Sequence, residues 1–348
     1  MKTTARIGLL MLVLLSFFSC KAYTDLSVDA FGKMLTDDTS VQLVDVRTAE
    51  EFAEGHIARA ALLDWKGEGF LDKARALLDP SRPVLVYCRS GRRSAEAAKA
   101  LSKASFRVFN LRGGYLAWTG AGCPVTRYEV ERFLTPGGHP VDITLIKHGS
   151  LAISCMGLSI QVDPVEEFGK HTDYASEFPK ADLILVTHEH PDHLEAKTIE
   201  VLSGEHTRLL LNGTSAGILG RGEVLANGDS LTLSEGIALK AVPAYNTTPG
   251  RERFHPKGNG NGYVLTIDGL RIYIAGDTED IPEMADLKAI DVAFLPVNQP
   301  FTMTVDQCVA AVGRFAPKVL IPYHFSQTDL SGLPGRLPQT DVRLRQMQ

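Results

Sequence analysis

Three of the ten histidines fall inside T-H-E-H-P-D-H-L (187–194), with an aspartate between the last two. Neutral imidazole and carboxylate are the donors that suit zinc, iron or manganese. Pro191 has no N–H to give a ladder, so 188–193 reads as a loop leaving the apolar run D-L-I-L-V (182–186). In an extended stretch His188 and His190 project to one side. Asp192 and His193, turned by the proline, can face a neighbouring point. A second centre is Cys88, which follows the apolar P-V-L-V-Y and precedes R-S-G-R-R (89–93). A loop of that length can curl its N–H groups towards the sulfur, with a helix N-terminus behind it. The arginines Arg89, Arg92 and Arg93 add positive potential, and Ser90 and Gly91 complete the loop. Both effects favour a nucleophilic thiolate. The same cradle suits a persulfide or a bound oxyanion.

These residues need elements to hold them. From Leu26 to about Arg127, strands (41–46, 83–87, 106–111) alternate with helices (49–54, 70–78, 94–104), which predicts an α/β domain with a mostly parallel sheet. The turn-rich end of 128–140, P-G-G-H-P, marks a linker. After Val141 strands dominate, at 142–148, 151–155, 158–164 and 182–188, followed by a helical stretch at 195–202.

A length of 348 residues is enough for two cores. The apolar fraction of 44% and the charged fraction of 22% are those of a globular chain. A formal charge of −5 speaks against nucleic acid as a partner, because phosphate binding needs a basic face. Cys123, Cys155 and Cys308 are widely spaced in apolar surroundings and read as small core residues, with neither a disulfide framework nor a thiolate zinc site.

The first half resembles a single-domain rhodanese, a sulfurtransferase, over about a hundred residues. D-V-R-T-A-E-E-F-A-E-G-H-I (45–57), C-R-S-G-R-R-S (88–94) and L-R-G-G-Y-L-A-W (111–118) match its signature segments in order. The resemblance implies that Cys88 carries a persulfide between a sulfane-sulfur donor and a thiol acceptor. It also implies that Asp45 and Arg47 are structural or substrate-positioning residues.

The second half, about 140–348, resembles the metallo-β-lactamase superfamily, whose signature is the H-x-H-x-D-H string. V-D-P (162–164) matches the aspartate that buttresses the metal loop. I-Y-I-A-G-D-T (272–278) puts Asp277 where that superfamily has a metal-bridging carboxylate, and L-I-P-Y-H-F (320–325) puts His324 as last ligand of a second metal. With K-H-G-S (147–150) and F-T-M-T (301–304), the details look most like the branch of ascorbate-6-phosphate lactonase. The resemblance implies an αββα fold and two divalent ions, zinc first, with manganese or iron fitting the same donors. Those ions would activate water against a small-molecule lactone, ester or phosphodiester, with Asp192 catalytic as well as a ligand. The branch often has a third histidine after A-V-P-A (241–244), where this chain has Asn246. Asn246 offers only an amide oxygen, a weaker donor than imidazole, so His255, nine residues on, is expected to swing in and complete that shell, and His148 is expected to line the pocket.

Two rivals share these motifs. One is a persulfide dioxygenase with a single iron, which also pairs this metal fold with rhodanese domains; Asn246 in place of a histidine disfavours it. The other is a metal- or sulfur-binding protein without turnover. The expected boundaries are 1–20 for a targeting segment, 24–127 for the rhodanese domain, 128–140 for the linker and 141–348 for the metal domain. Lys2 and Arg6 ahead of the apolar run 7–18, ending at S-C, resemble a bacterial lipoprotein signal with Cys20 lipidated. That implies an exported, membrane-anchored protein.

Overall fold

The computed structural model describes residues 23–345 apart from Thr39, together with Met347. The expected targeting segment and Cys20 therefore lie outside the described residues. The chain divides into two units, Met1–Arg127 and Tyr128–Gln348.

In the first unit five parallel strands stand in the order Thr24–Leu26, Val108–Leu111, Val84–Tyr87, Gln42–Asp45, Ala61–Leu62. The central strands are buried on both faces, which is why they read as unbroken apolar runs. Phe70, Ala74, Ala97 and Leu101 cover one face, and Phe31, Leu35 and Trp118 cover the other. Helix Ala49–Glu54 opens on a capping box, Thr48 paired with Glu51. Helix Arg92–Lys103 begins two residues before the expected start at Ser94, so Arg92 and Arg93 lie in its first turn.

The second unit has two seven-stranded sheets. The first runs Glu223–Val224, Ser203–Leu211, Ala181–Leu185, Leu158–Val162, Ser150–Cys155, Pro140–Lys147, Glu129–Leu134. The second runs from Ser230–Ser234 through Ile237–Ala244, Gly260–Ile267, Leu270–Ile274, Val292–Pro296 and Val319–Tyr323 to Asp341–Val342. Alternate residues of both sheets, such as Val141, Ile143 and Leu145 against Ile237, Leu239 and Ala241, form one core between them. Helix Ala196–Leu202 packs outside the first sheet and helix Val305–Phe315 outside the second. This is the expected αββα layering.

The stretch 128–140 is not the linker expected. Glu129–Leu134 is a strand antiparallel to Pro140–Lys147. P-G-G-H-P is the hairpin turn between them, closed by Thr135 N to His139 O at 2.9 Å. Turn residues mark a hairpin as readily as a domain boundary, and here the alternating stretch before them pairs within the sheet.

Candidate metal centre and sulfur loop

Strand Ala181–Leu185 delivers the histidine-rich segment at its C-terminal end. The neighbouring strand Leu158–Val162 ends at Asp163, a fully buried carboxylate with φ 44°. Asp163 accepts from Thr187 N and Oγ1, both at 2.7 Å, and from His193 Nδ1 at 2.8 Å. Since the Thr187 hydroxyl donates to Asp163, its oxygen is free to accept from His188 Nδ1 at 3.0 Å. One aspartate thus fixes two imidazoles and leaves Nε2 of each facing the site. His148 and His324, with φ of 46° and 47°, adopt the same left-handed backbone, and His324 N donates to His148 O at 3.0 Å. Non-glycine residues in that region collect where surrounding structure overrides local preference.

Two clusters result. In the first, His188, His190, His255 and Asp277 offer donor atoms within 4.8 Å of one another. His190 Nδ1 stands 3.0 Å from His188 Nε2 and 3.3 Å from His255 Nε2. In the second, His148, Asp192, His193 and His324 converge in the same way. Asp192 Oδ2 lies 3.0 Å from His148 Nε2 and 3.4 Å from His324 Nε2. Asp277 faces both groups. Its Oδ1 is 3.4 Å from His193 Nε2, and its Oδ2 is 3.2 Å from both His324 Nε2 and His255 Nε2.

The donor set fits divalent-cation binding. Asp277 Oδ1, His193 Nε2 and His324 Nε2 are buried without a hydrogen-bond partner, an arrangement that is costly unless something else satisfies them. Electrostatics divide the donors into two sets. Burial, then the charge of His193, holds His188 well below its ordinary value, and burial lowers His190 and His148 too, so these imidazoles are neutral donors. Burial would push Asp277 up, but His324 and His193 outweigh it and hold the carboxyl well below its usual range. Burial likewise opposes the charge on His324, and Asp277 outweighs it, raising that imidazole to about 10.

Asn246 stands behind the site: its Nδ2 donates to Arg251 O at 3.2 Å and to Phe301 O at 2.7 Å, and it is not part of the cavity wall. His255 is the residue that swings in. Its Nδ1 donates to the same Phe301 carbonyl at 3.1 Å, which turns Nε2 inward, and Asn246 N donates to His255 O at 2.9 Å. His148, expected only to line the pocket, sits within the second cluster, with its ring 3.6 Å from that of His324. Gly149 went unnoticed in the sequence. A Cβ there would fall 2.6 Å from His193 Cε1, so the K-H-G-S glycine keeps the imidazole's place open.

In the first unit Cys88 is buried at the end of Val84–Tyr87. Buried Ser94 donates its hydroxyl to the sulfur at 3.4 Å. The loop is held from below: Tyr115 N donates to Cys88 O at 2.7 Å and Leu116 N to Arg89 O at 3.0 Å. A Cβ on Gly114 would come within 2.3 Å of Cys88 O and 2.7 Å of Gly91 N, which explains the double glycine of L-R-G-G. Arg89, Ser90 and Arg92 are exposed beside Gly91, whereas Arg93 is paired to Glu51 through two contacts of 2.8 Å. Arg47 is structural: buried, bidentate to Asp45, bonded to Gly55 O at 2.6 Å and set over the Tyr115 ring.

Known proteins give the same picture. A model described as a β-lactamase superfamily domain matches residues 142–324, and one described as a rhodanese-like domain matches 27–121. A metal-dependent hydrolase of Thermoplasma acidophilum is 32% identical over 196 residues, 54% of this chain and 86% of that protein. The crystal structure of a metal-dependent hydrolase from Parabacteroides distasonis is 52% identical, with a TM-score of 0.61, covering 64% of this chain and 100% of the other. A metallo hydrolase from Ignicoccus hospitalis is 25% identical, with a TM-score of 0.51, covering 60% and 95%.

Proposed function

The chain belongs to the β-lactamase superfamily and carries a rhodanese-like domain ahead of that fold, and from this premise we propose an exported enzyme that joins two-metal hydrolysis to sulfur transfer. That the second unit is a metal-dependent hydrolase of the metallo-β-lactamase fold follows from its family and relatives. The finer reading rests on one observation: Asp277 presents its carboxylate to two separate groups of donors. We assign His188, His190 and His255 to one ion and Asp192, His193 and His324 to the other, with Asp277 shared and His148 beside the second. Zinc is the ion we assign.

When bound, such a pair supplies an acidified water and a Lewis acid for a carbonyl or phosphoryl oxygen. The chain's own groups do the rest. Asp163, Thr187 and the Phe301 carbonyl each hold a proton on an Nδ1, so the lone pairs of His193, His188 and His255 point inward. Asp192 lines the cavity within hydrogen-bond reach of His148, which orients its carboxylate. In the first unit the Cys88 sulfur attacks the outer sulfur of a donor such as thiosulfate, sulfite leaves, and the persulfide passes that sulfur to a thiol.

A persulfide dioxygenase remains the second reading because of one observation. The missing histidine at 246 counted against it, and His255 now supplies a third imidazole. The complete second cluster favours the hydrolase. The test is full-length protein assayed on lactones, carboxylic esters and phosphodiesters, and separately for oxygen uptake with glutathione persulfide. Hydrolysis that chelator abolishes and metal restores is expected; oxygen uptake without hydrolysis would overturn the assignment. Export is tested by mass spectrometry of the membrane fraction, where a diacylated Cys20 should be the first residue and an unmodified N-terminus would refute it.

A further inference from the structure

Beside the two clusters is a cavity of about 800 Å³, within the size range of small-molecule sites. Apart from the metal-capable side chains, its wall is aromatic: Phe168, Phe254, Phe301 and Phe325, with the neutral polar residues Asn298 and Gln327. No lysine or arginine lines it among the described residues. Three cations lie on the segment that carries Phe254 and His255; Arg251 and Lys257 are engaged with residues outside that wall, and Arg253 lies over a ring of the wall without itself lining the cavity. Arg251 bonds Gln299 and lies 3.7 Å from Glu279. Lys257 bonds Glu283 and Tyr245 at 2.8 and 3.1 Å. Arg253 stacks over the Phe254 ring.

The aromatic wall is held in place. Lys147, a buried lysine, donates to Glu166 O at 2.6 Å and Lys170 O at 2.7 Å. It thereby clamps both ends of the loop bearing Phe168, whose ring stands 4.7 Å from that of His148. Phe254 and Phe301 meet edge to face at 5.1 Å. Phe168 and Phe301 are 41% and 43% exposed, large apolar surfaces presented to solvent at the one place where a ligand would cover them.

We infer that this site takes uncharged lactones or carboxylic esters bearing an apolar alkyl or aryl group, and discriminates against substrates with a phosphate handle. The inference rests on the hydrolase reading and narrows it. A phosphate away from the reacting centre is ordinarily met by Arg or Lys, and here it would face phenyl rings. An alkyl chain would gain about 0.8 kcal/mol per buried methylene, close to fourfold in binding.

The experiment uses metal-loaded full-length protein and γ-lactones whose side chain lengthens from none to hexyl, alongside a lactone carrying a phosphorylated side chain and a bis-aryl phosphodiester. The matching γ-lactams, which resist hydrolysis, are titrated by calorimetry. We expect kcat/KM for the lactones and affinity for the lactams to rise about two- to fourfold per methylene, with the phosphorylated lactone about a hundredfold below the hexyl compound. Phe254→Ala should flatten both slopes, whatever it does to the absolute rate. Turnover with a flat slope, or a preference for either phosphate compound, overturns the inference and leaves the hydrolase reading standing. Rising lactam affinity without hydrolysis of any compound supports the apolar site and overturns the hydrolase reading instead.

Discussion

Asn246 and His255 meet at one backbone carbonyl. The asparagine holds the Phe301 carbonyl, and that carbonyl orients the imidazole which reaches the site. His255→Ala should therefore reduce bound metal from about two per chain towards one, because a ligand is lost outright. Asn246→Ala should weaken that site only about tenfold, the usual scale for a supporting hydrogen bond. Elemental analysis after dialysis at graded free metal checks both; full metal in His255→Ala would remove it from the ligand set. His188, His190, Asp192 and His193 were legible because their spacing is local. Asp277 and His324 were legible through the strand-end motifs around them. The preference for His255 over Asn246 could be argued from donor strength alone, but its contact with His190, 65 positions away, is visible only in the fold. His148 as a member of the second cluster was not legible, since it rests on contacts with Asp192 and His324 across the fold.

Strand ends do the positioning at the next scale. Asp163 and Thr187 leave adjacent parallel strands, and that adjacency lets one carboxylate fix two ligands. In the rhodanese unit the loop after Val84–Tyr87 is buttressed by Gly113-Gly114 at the start of helix Gly114–Gly120. Gly114→Ala places a Cβ against two backbone atoms at a φ of 60°, and should destabilise that unit by about 2–4 kcal/mol and abolish sulfur transfer. Thermal unfolding followed alongside thiosulfate turnover checks this; wild-type transfer would mean the loop does not need that contact. Most strands and helices were readable from apolar runs and periodicity. The exception is 128–140, where turn chemistry reads equally as a boundary and the pairing of Glu129–Leu134 across it is invisible to local reading.

For the whole molecule, Cys88 lies in the first unit and both histidine–aspartate clusters lie in the second. Cys88→Ser should abolish transfer of sulfane sulfur while metal content stays at the wild-type value, and a parallel loss of metal would show that the centres are coupled. A two-metal centre shared through Asp277 is tested by the metal content of full-length protein purified without oxygen. The expected result is about two divalent ions per chain, falling towards one or none in Asp277→Ala. A single iron per chain, retained in His324→Ala and lost in His255→Ala, would contradict it.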